Sequence, residues 1–497
     1  MSFHSLRSTA PQPTMVALLL VIFIASPTLA QWSAPVRISE PGDCWDPQII
    51  ASGDTLHVVY ENTGAGYDKI SYVRSTDAGL SWSEPIRLTE RRGSTVFPRI
   101  MENGSQLMVV WEQVFDSGYD RYNVGYAISG DDGASWDSAH YIFNPNWAGI
   151  QSMVAAGTGP LAEVIVGTQV GYDFVFYESH STDFGQTWSD TNVIFTCYDA
   201  GKPDIAEMDS VIHFVWDGRF EAGPPWDIYY KRSLDGGSTW SENLMLSTFD
   251  EHGSQEPTIS LGGSNAVAVD WADGKYSPYM LTGDVLMRVS GDTGTTWGSE
   301  TQATFNHFVL KSDVAIRGDT IDAVWMDLSI GLGRASIYET SSHDGGAFWS
   351  EPIRLDVTDH DSHDPAIINS QGRKYVVWAD ALYPPESSGV FISRWPGEPD
   401  AVDDTRDMDF PDKIELSAYP NPFNSNVTIS LYSEKGGEVN IYDDNGRLIR
   451  SLFVKPGNQK TTWDRRGVNG EDLSSSVFFV EFESGGHSKS MKLVYVK

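Results

Sequence analysis

Apolar and polar residues alternate in short runs along most of this chain, and Gly-rich or Asn-Gly turns separate the runs. In the first clear unit the runs cover residues 47–51, 56–60, 69–74 and 82–88. Alternation with a period of two is typical of β-strands that have one buried face. The pattern therefore predicts an all-β protein with four short antiparallel strands in each unit. We label these strands A to D in chain order.

An eight-residue sequence, Ser-x-Asp-x-Gly-x-x-Trp, lies between runs C and D and occurs six times. Its tryptophans are 54, 52, 52, 57 and 52 residues apart, which marks a repeat protein. Glycine permits a tight turn, Asp and Ser bond nearby backbone N–H groups, and Trp fills the gap between sheets. We interpret the octet as a structural turn rather than a calcium site, because Ca²⁺ takes about six to eight oxygens. Its defining residues are Asp77, Trp82, Asp131, Trp136, Asp183, Trp188, Asp235, Trp240, Asp292, Trp297, Asp344 and Trp349.

Four strands repeated radially form the blade of a β-propeller, and seven units can be counted. The units begin near Asp46, Phe97, Gln151, Pro203, Glu256, Ser312 and Asp364. The seventh has only three runs. Residues 32–39 begin Trp-Ser-Ala-Pro-Val-Arg-Ile, like the runs that follow the octets at Trp82 and Trp349, so they are predicted to supply its fourth strand. The expected fold of residues 31–395 is a seven-bladed propeller closed by its N-terminal strand.

The remaining regions have distinct compositions. Residues 1–30 contain an apolar run followed by small residues, as in a secretory signal peptide. Residues 396–412 are rich in acid, Pro and Gly and are predicted to be a linker. The net charge of −34 argues against nucleic acid or an anionic membrane as a partner. We predict no transmembrane segment, no cofactor and no metal, and we expect Cys44 and Cys197 to be free thiols on nearly opposite blades.

The C-terminal residues 413–497 are predicted to form a small immunoglobulin-like sandwich of about seven short strands. This module opens with Tyr-Pro-Asn-Pro-Phe-Asn from Tyr419, continues with Val-Asn-Ile-Tyr-Asp from Val439, and ends with Met-Lys-Leu-Val-Tyr-Val-Lys at Lys497. In these motifs it resembles the C-terminal sorting domain of the type IX secretion system. The resemblance implies export across an outer membrane, with release or anchoring at the surface. An immunoglobulin-like stalk without a sorting role is the alternative.

The six octets resemble the Asp-box (BNR) repeats of sialidase-like propellers, over about residues 32–395. The resemblance implies that the octets lie on one face of the ring and the ligand site on the other. That second face is built from the loops between D and the next A and between B and C. Aromatic rings beside polar groups suit sugars, so we predict that an extracellular glycan or another polymer binds there. The candidate binding residues are Trp45, Asp46, Arg99, Trp147, Arg219, Trp226, Tyr276, Tyr279, Arg334, His363 and Asp364.

Two other functions remain open. An exo-acting glycoside hydrolase of the sialidase type would need three arginines on a substrate carboxylate, for which Arg99, Arg219 and Arg334 are the candidates. The family's Phe-Arg-Ile-Pro signature is absent before the first octet, and sialidases have six blades. A non-catalytic scaffold that binds proteins is the third function. The acids that end most B runs recur with the repeat, so we interpret them as structural, and no catalytic residue is assigned.

Overall fold

The computed structural model describes most of the chain, in two compact units, residues 1–400 and 401–497. The described residues are 32–63, 67–89, 93–115, 122–143, 149–223, 225–263, 265–276, 283–305, 307–328, 334–356, 361–381, 388–395, 414–419, 426–433, 437–443, 447–455, 457–463, 476–484 and 487–495. The predicted signal peptide and linker lie outside these ranges. Among the described residues, no helix has the length and apolar character needed to cross a membrane.

The first unit contains seven four-stranded antiparallel sheets, which confirms the predicted all-β propeller of seven blades. Blades 1 to 3 consist of β2 (Cys44–Ser52), β3 (Thr55–Asn62), β4 (Lys69–Ser75), β5 (Ile86–Arg87); β6 (Thr95–Asn103), β7 (Gln106–Val114), β8 (Tyr122–Ser129), β9 (His140–Tyr141); and β10 (Ser152–Ala156), β11 (Ala162–Val170), β12 (Asp173–Ser181), β13 (Asn192–Cys197). In each blade these are strands A to D.

Blades 4 to 7 repeat this order, with one 3-10 helix after β19 (Gly274–Tyr276). Their strands are β14 (Asp199–Met208), β15 (Val211–Arg219), β16 (Asp227–Ser233), β17 (Leu244–Met245); β18 (Ser254–Gly262), β19 (Ala266–Asp273), β20 (Asp284–Ser290), β21 (Thr301–Gln302); β22 (Val309–Arg317), β23 (Thr320–Asp327), β24 (Ser336–Ser342), β25 (Ile353–Arg354); and β26 (Asp361–Ser370), β27 (Arg373–Ala381), β28 (Gly389–Trp395).

The N-terminal strand closes the ring, as predicted. β1 (Val36–Arg37) pairs with β28 in antiparallel register, Val36 opposite Ile392, and completes the sheet of blade 7. Trp32 occupies the place of an octet tryptophan. Its indole N–H donates to Glu339 of the preceding blade at 3.4 Å, as the indole N–H of the octet residue Trp240 donates to Glu178. The D strands are shorter than predicted. In blade 1 only Ile86 and Arg87 pair, since Trp82 turns into the gap between blades and Pro85 has no N–H to donate.

The core lies between neighbouring blades. Strand B is buried on both faces, and five blades carry a fully buried tryptophan on it, namely Trp111, Trp216, Trp271, Trp325 and Trp378. The octet tryptophans are half-buried and pack toward the preceding blade. Trp136 meets Tyr72 edge-on at 5.0 Å between ring centroids, and Trp297 meets Tyr230 at 4.9 Å. Large aromatic surfaces therefore join each blade to its neighbour.

The octets form the same hydrogen-bonded turn in every copy. In the first, Ser75 Oγ donates to Asp77 Oδ1 at 2.8 Å and accepts from the Gly79 N–H at 2.8 Å. Asp77 also accepts from the backbone and hydroxyl of Ser81, and these bonds lower the pKa of Asp77 to about 2. The carboxylate oxygens are thus used within the turn. This supports the structural interpretation of the octet.

A glycine substitution pair tests how closely the octets dock. Gly133 has φ of +76°, and a Cβ added there would lie 1.9 Å from Tyr72 Oη of blade 1, whereas Gly104, with φ of +62°, has open space around it. Both alanine variants strain the backbone by about 1–2 kcal/mol, and Gly133→Ala adds overpacking of about 1–3 kcal/mol. Denaturant unfolding should show the larger loss for Gly133→Ala. Equal losses would contradict close docking of the octet.

The second unit is a sandwich of one three-stranded and one four-stranded sheet, as predicted. Val427, Val439, Trp463, Phe478 and Leu493 are among the residues of its buried core. The strands are β29 (Ile414–Tyr419), β30 (Val427–Ser433), β31 (Gly437–Asp443), β32 (Leu448–Val454), β33 (Gly457–Trp463), β34 (Ser476–Ser484) and β35 (His487–Tyr495).

The two cysteines are free, as expected, and both are buried. Burial is the main cause that raises the pKa of Cys44 and of Cys197 to about 12. A thiol that stays protonated reacts slowly, so neither cysteine is a candidate nucleophile.

Candidate functional site

The channel wall is built from the seven A strands, and a backbone irregularity turns one residue of most strands toward the axis. Six of the seven A–B pairs have a register shift near the start of strand A. Asp46, Phe97, Glu256 and Asp364 each precede a proline there and have positive φ, between 45° and 54°. Such a bulge redirects a side chain at the cost of local strain. The repeat thereby supplies one channel-facing position per blade.

The residues of strand A that face the channel form two layers. Both layers lie near the face that carries the D–A and B–C loops, which we call the mouth face. The opposite side carries the octets and is the octet face. The upper ring comprises Asp46, Phe97, Gln151, Lys202, Glu256, Lys311 and Asp364. Two residues further along each strand, the lower ring comprises Gln48, Arg99, Met153, Asp204, Thr258, Asp313 and Ala366. Apart from Asp364, all of these line one cavity of about 110 Å³.

Lys311 joins three blades at the mouth. Its Nζ lies 2.9 Å from Asp46 Oδ1 and 2.8 Å from Asp364 Oδ1. Burial alone would lower the pKa of Lys311, but the two carboxylates outweigh it and hold the pKa well above its usual range. Burial alone would raise the pKa of Asp364, but Lys311 and His363 hold it well below its usual range. Lys311 and Asp364 are therefore both charged at neutral pH.

An aromatic pair adjoins this ion cluster. The rings of Trp45 and His363 stack with centroids 4.1 Å apart, and His363 Nδ1 lies 3.0 Å from Asp364 Oδ2. Trp45 remains 43% exposed, so its outer face is open to solvent at the mouth. Four predicted candidates, Trp45, Asp46, His363 and Asp364, are thus brought together.

The rest of the upper ring contains one basic and one acidic residue, Lys202 and Glu256. Lys202 is exposed, and its ammonium lies 5.0 Å from the ring centroid of Phe97 across the channel. Burial raises the pKa of Glu256, although Lys202 and Lys311 act to lower it. In the lower ring, the carboxylates of Asp204 and Asp313 accept backbone N–H groups from the next blade, at 3.0 and 2.8 Å.

Two of the acids that end the B strands bond to the bulges. Glu61 accepts the Phe97 N–H of the next blade at 2.5 Å, and Asp217 accepts the N–H groups of Lys202 and Glu256. Burial raises the pKa of Asp217 to about 7, although these N–H donors act to lower it. The contacts of Glu61 and Asp217 support the structural role that the repeat predicts for these acids.

The three candidate arginines occupy different environments. Arg99 lines the channel cavity. Arg219 pairs with Asp199 at 3.1 Å and lies over the ring of Tyr198, at the outer part of blade 4. Arg334 is exposed just before β24 of blade 6. Of the three, only Arg99 belongs to the lining of the cavity, so the described residues do not bring these candidates together as the triad of the sialidase function.

Of the remaining aromatic candidates, the structure describes the side chain of only Trp226. Trp226 packs on Gly201, next to the upper ring, where a Cβ would lie 2.4 Å from its ring. Tyr276 ends the 3-10 helix, and its side chain lies outside the described part of the structure. Trp147 and Tyr279 also lie outside the described residues.

Several site residues were not predicted, namely Lys202, Asp204, Glu256, Lys311 and Asp313. A usable signal existed: Lys202 and Glu256 directly precede a strand A proline, Asp204 stands two residues beyond that position, and Lys311 and Asp313 occupy the aligned positions in a blade that lacks the proline. Aligning that position across the blades would have identified both rings. Among the described residues, no cluster of His, Cys, Asp and Glu has an arrangement that could hold a metal ion.

A known family matches the C-terminal part of the chain. Residues 417–497 match the family described as the secretion system C-terminal sorting domain, which indicates a secreted protein. No curated protein is significantly similar in sequence to this chain.

Several solved structures are similar to this chain. A polysaccharide lyase, an ulvan lyase, is 12% identical, with 72% of this chain and 95% of that chain covered and a TM-score of 0.51. An α-L-arabinanase from Penicillium chrysogenum is 14% identical, with 73% and 98% covered and a TM-score of 0.44. A mutant sialidase from Trypanosoma rangeli is 10% identical, with 93% and 86% covered and a TM-score of 0.41. At these identities the likeness to the ulvan lyase extends to the fold alone.

Proposed function

We propose that this chain is an exported propeller that binds an extracellular polysaccharide at its mouth face. The signal peptide at 1–30 and a type IX sorting role of the C-terminal module would take it to the outer surface or the medium. The observation that carries the proposal is the convergence of Trp45, Asp46, His363, Asp364 and Lys311 at the mouth. An open aromatic face beside fixed hydrogen-bonding groups suits the faces and hydroxyls of sugar rings.

The charges favour a neutral polysaccharide. Lys311 is compensated by two carboxylates, and Arg99 and Lys202 lie near Asp204 and Glu256. Recognition of a uronate or sulfate group calls for cations that are not already matched by local acids. The net charge of −34 also repels polyanions at long range. Hydroxyl-rich, uncharged chains avoid both costs.

A second candidate is glycoside hydrolysis, which one observation favours. Asp46 and Asp364 both contact the same ammonium nitrogen, and nearby Glu256 has a raised pKa while that of Asp364 is lowered. Carboxyl groups whose pKa values are pushed apart can divide acid and base roles. Here, however, Lys311 already occupies the space between Asp46 and Asp364, and this is why binding is the primary proposal.

The test is a polysaccharide screen with matched variants. Affinity electrophoresis of the exported protein would use gels containing xylan, arabinan, galactan, glucomannan or starch, with alginate and ulvan as anionic probes. We expect retardation by a neutral polymer, and at least a tenfold weaker affinity for Lys202→Gln and Lys311→Met. Arg317→Gln, an exposed arginine at the end of strand A on the octet face, is the control and should bind normally.

Incubation of the protein with the same polysaccharides distinguishes binding from hydrolysis. New reducing ends that appear with the wild type and not with Asp364→Asn would support the hydrolase. Binding without new ends supports the primary proposal. Lys202→Gln keeps the test valid if Lys311→Met does not fold, because the Lys202 side chain is exposed. The absence of binding to every polymer would contradict the proposed function.

A further inference from the structure

The outer edge of blade 3 differs from that of other blades. β13 has six residues, whereas the D strands of blades 1, 2, 4, 5 and 6 have two each. Strand D runs from the octet face toward the mouth face, so the longer strand extends the sheet at the mouth. Opposite its end, β11 and β12 meet in a tight hairpin at Gly171 and Tyr172.

The extension supports a group of packed aromatic rings. Phe195 on β13 lies 4.4 Å from Trp216 and 6.5 Å from Phe220, between ring centroids. Phe220 in turn contacts Tyr229 edge-on at 5.0 Å. Trp216 is fully buried, so the exposed rings rest on a rigid base. A ring that packs against such a base loses little conformational freedom when a ligand binds.

Three aromatic side chains of this region face solvent. Tyr172 is 93% exposed, Phe220 is 42% exposed and Tyr198 is 41% exposed. Phe174 pairs with Cys197, so the strand register places Tyr172 beside the segment that begins at Tyr198. The Arg219 guanidinium lies 5.3 Å from the Tyr198 ring centroid and bonds Asp199 at 3.1 Å. An ion pair without net charge, Arg219 with Asp199, therefore lies among the aromatic rings.

The exposed rings connect with the mouth. Residues 198–202 lead from Tyr198 to Lys202 of the upper ring, and Trp226 packs on Gly201 within that segment. Phe220 and Trp226 belong to the one B–C loop of blade 4. Two short segments thus carry aromatic side chains from the channel edge to the outside of the propeller. We call Tyr172, Tyr198, Phe220 and Trp226 the aromatic track.

We propose that the aromatic track binds successive sugar rings of a neutral polysaccharide whose end or turn occupies the mouth. This inference rests on the proposed function and deepens it, because it makes the ligand a chain of several sugars rather than a monosaccharide. Arg219 and Asp199 supply hydrogen bonds to hydroxyl groups without a net charge. A protein partner would be favoured by a continuous apolar patch, whereas here an ion pair interrupts the rings.

The experiment measures affinity against chain length. Titration calorimetry would use fractionated oligosaccharides of two to eight sugars prepared from xylan, arabinan, galactan and glucomannan. The wild type should bind the longer fractions at least tenfold more tightly than the disaccharides. The double variant Tyr198→Ala/Phe220→Ala should lose about tenfold affinity for long fractions only. Leu234→Ala removes an exposed apolar side chain on the octet face and should change nothing.

The outcomes separate this inference from the proposed function. If Lys202→Gln weakens all lengths while the double variant equals the wild type at every length, the track is wrong and the mouth proposal stands. If the affinity does not depend on the length of the oligosaccharide, the proposal that the aromatic track binds sugars is likewise wrong. If no fraction binds the wild type, both proposals fail. A melting temperature of the double variant close to that of the wild type would show that a loss of affinity is not caused by unfolding.

Discussion

Deleting residues 32–39 is expected to destabilise the propeller more than any point substitution in a blade. The segment supplies β1, and Ser33 and Ile38 N–H groups donate to Arg394 and Val390 carbonyls at 2.8 and 2.9 Å. Ser39 Oγ also accepts the Val390 N–H. Ile38 is buried, at 5% exposure, and Trp32 is half-buried against blade 6. The loss of two such side chains and several hydrogen bonds amounts to at least about 5 kcal/mol.

Calorimetric melting of the exported protein measures this effect. The deletion also leaves β28 as an open edge, so the variant should aggregate on heating. Val36→Thr changes an exposed position of the same strand and should cost well under about 1 kcal/mol. A deletion variant that melts with the wild type would mean that the ring is not closed by this strand.

A second large effect is expected from pH. Burial is the leading cause of raised pKa values at several carboxyl groups, and it brings Glu61 to about 9 and Glu112, Glu207 and Asp313 to about 8. Between their unfolded values and these folded values, the native protein binds more protons than the unfolded chain. Stability is then lost as the pH rises through the folded pKa values. Since each pKa unit is worth about 1.4 kcal/mol, we expect a fall of at least about 5 kcal/mol between pH 5 and pH 9.

The interface of blades 3 and 4 allows a test at residue level. Glu163 is fully buried, and its pKa is raised first by burial and then by Glu178 and Glu207. Within the described part of the chain, Glu207 Oε2 has no hydrogen-bond partner. At the same place between blades 6 and 7, Lys374 lies 2.6 Å from Asp322 and 2.9 Å from Glu339. Asn369, the counterpart of Glu207, donates to Asp322 at 2.7 Å. At the blade 6–7 interface, the ammonium of Lys374 therefore balances the charge of the buried acids. At the blade 3–4 interface, no cation among the described residues contributes to the pKa of Glu163.

Glu207→Gln is expected to reduce the fall in stability at alkaline pH. The variant should match the wild type near pH 5 and exceed its unfolding free energy by about 2 kcal/mol at pH 9, because the amide carries no charge to desolvate. Glu84→Gln, an exposed position, serves as the control and should follow the wild-type curve. Chemical denaturation at both pH values gives the result. Parallel curves for Glu207→Gln and the wild type would contradict the assigned burial.

The sequence predicted the ring better than the site. The octet occurs in six blades and the strand A proline in five, and the echo at Trp32 supplies the strand that the seventh blade lacks, so periodicity revealed seven blades and their closure. The upper ring contributes single residues from separate blades, and Asp46 and Lys311 are 265 positions apart. No local pattern links them, because their contact follows from radial closure. The aromatic track was partly anticipated, since Trp226 was a candidate, but the six-residue length of β13 had no sequence signal.

The crystal structure of the protein with its best-bound oligosaccharide tests the central claim most directly. We predict sugar density over Trp45, Lys202, Glu256 and Lys311, continuing toward Trp226. Density confined to the octet face would contradict the account. The cavity of about 260 Å³ between blades 4 and 5, lined by residues that include His213 and Asn265, is the place there to inspect.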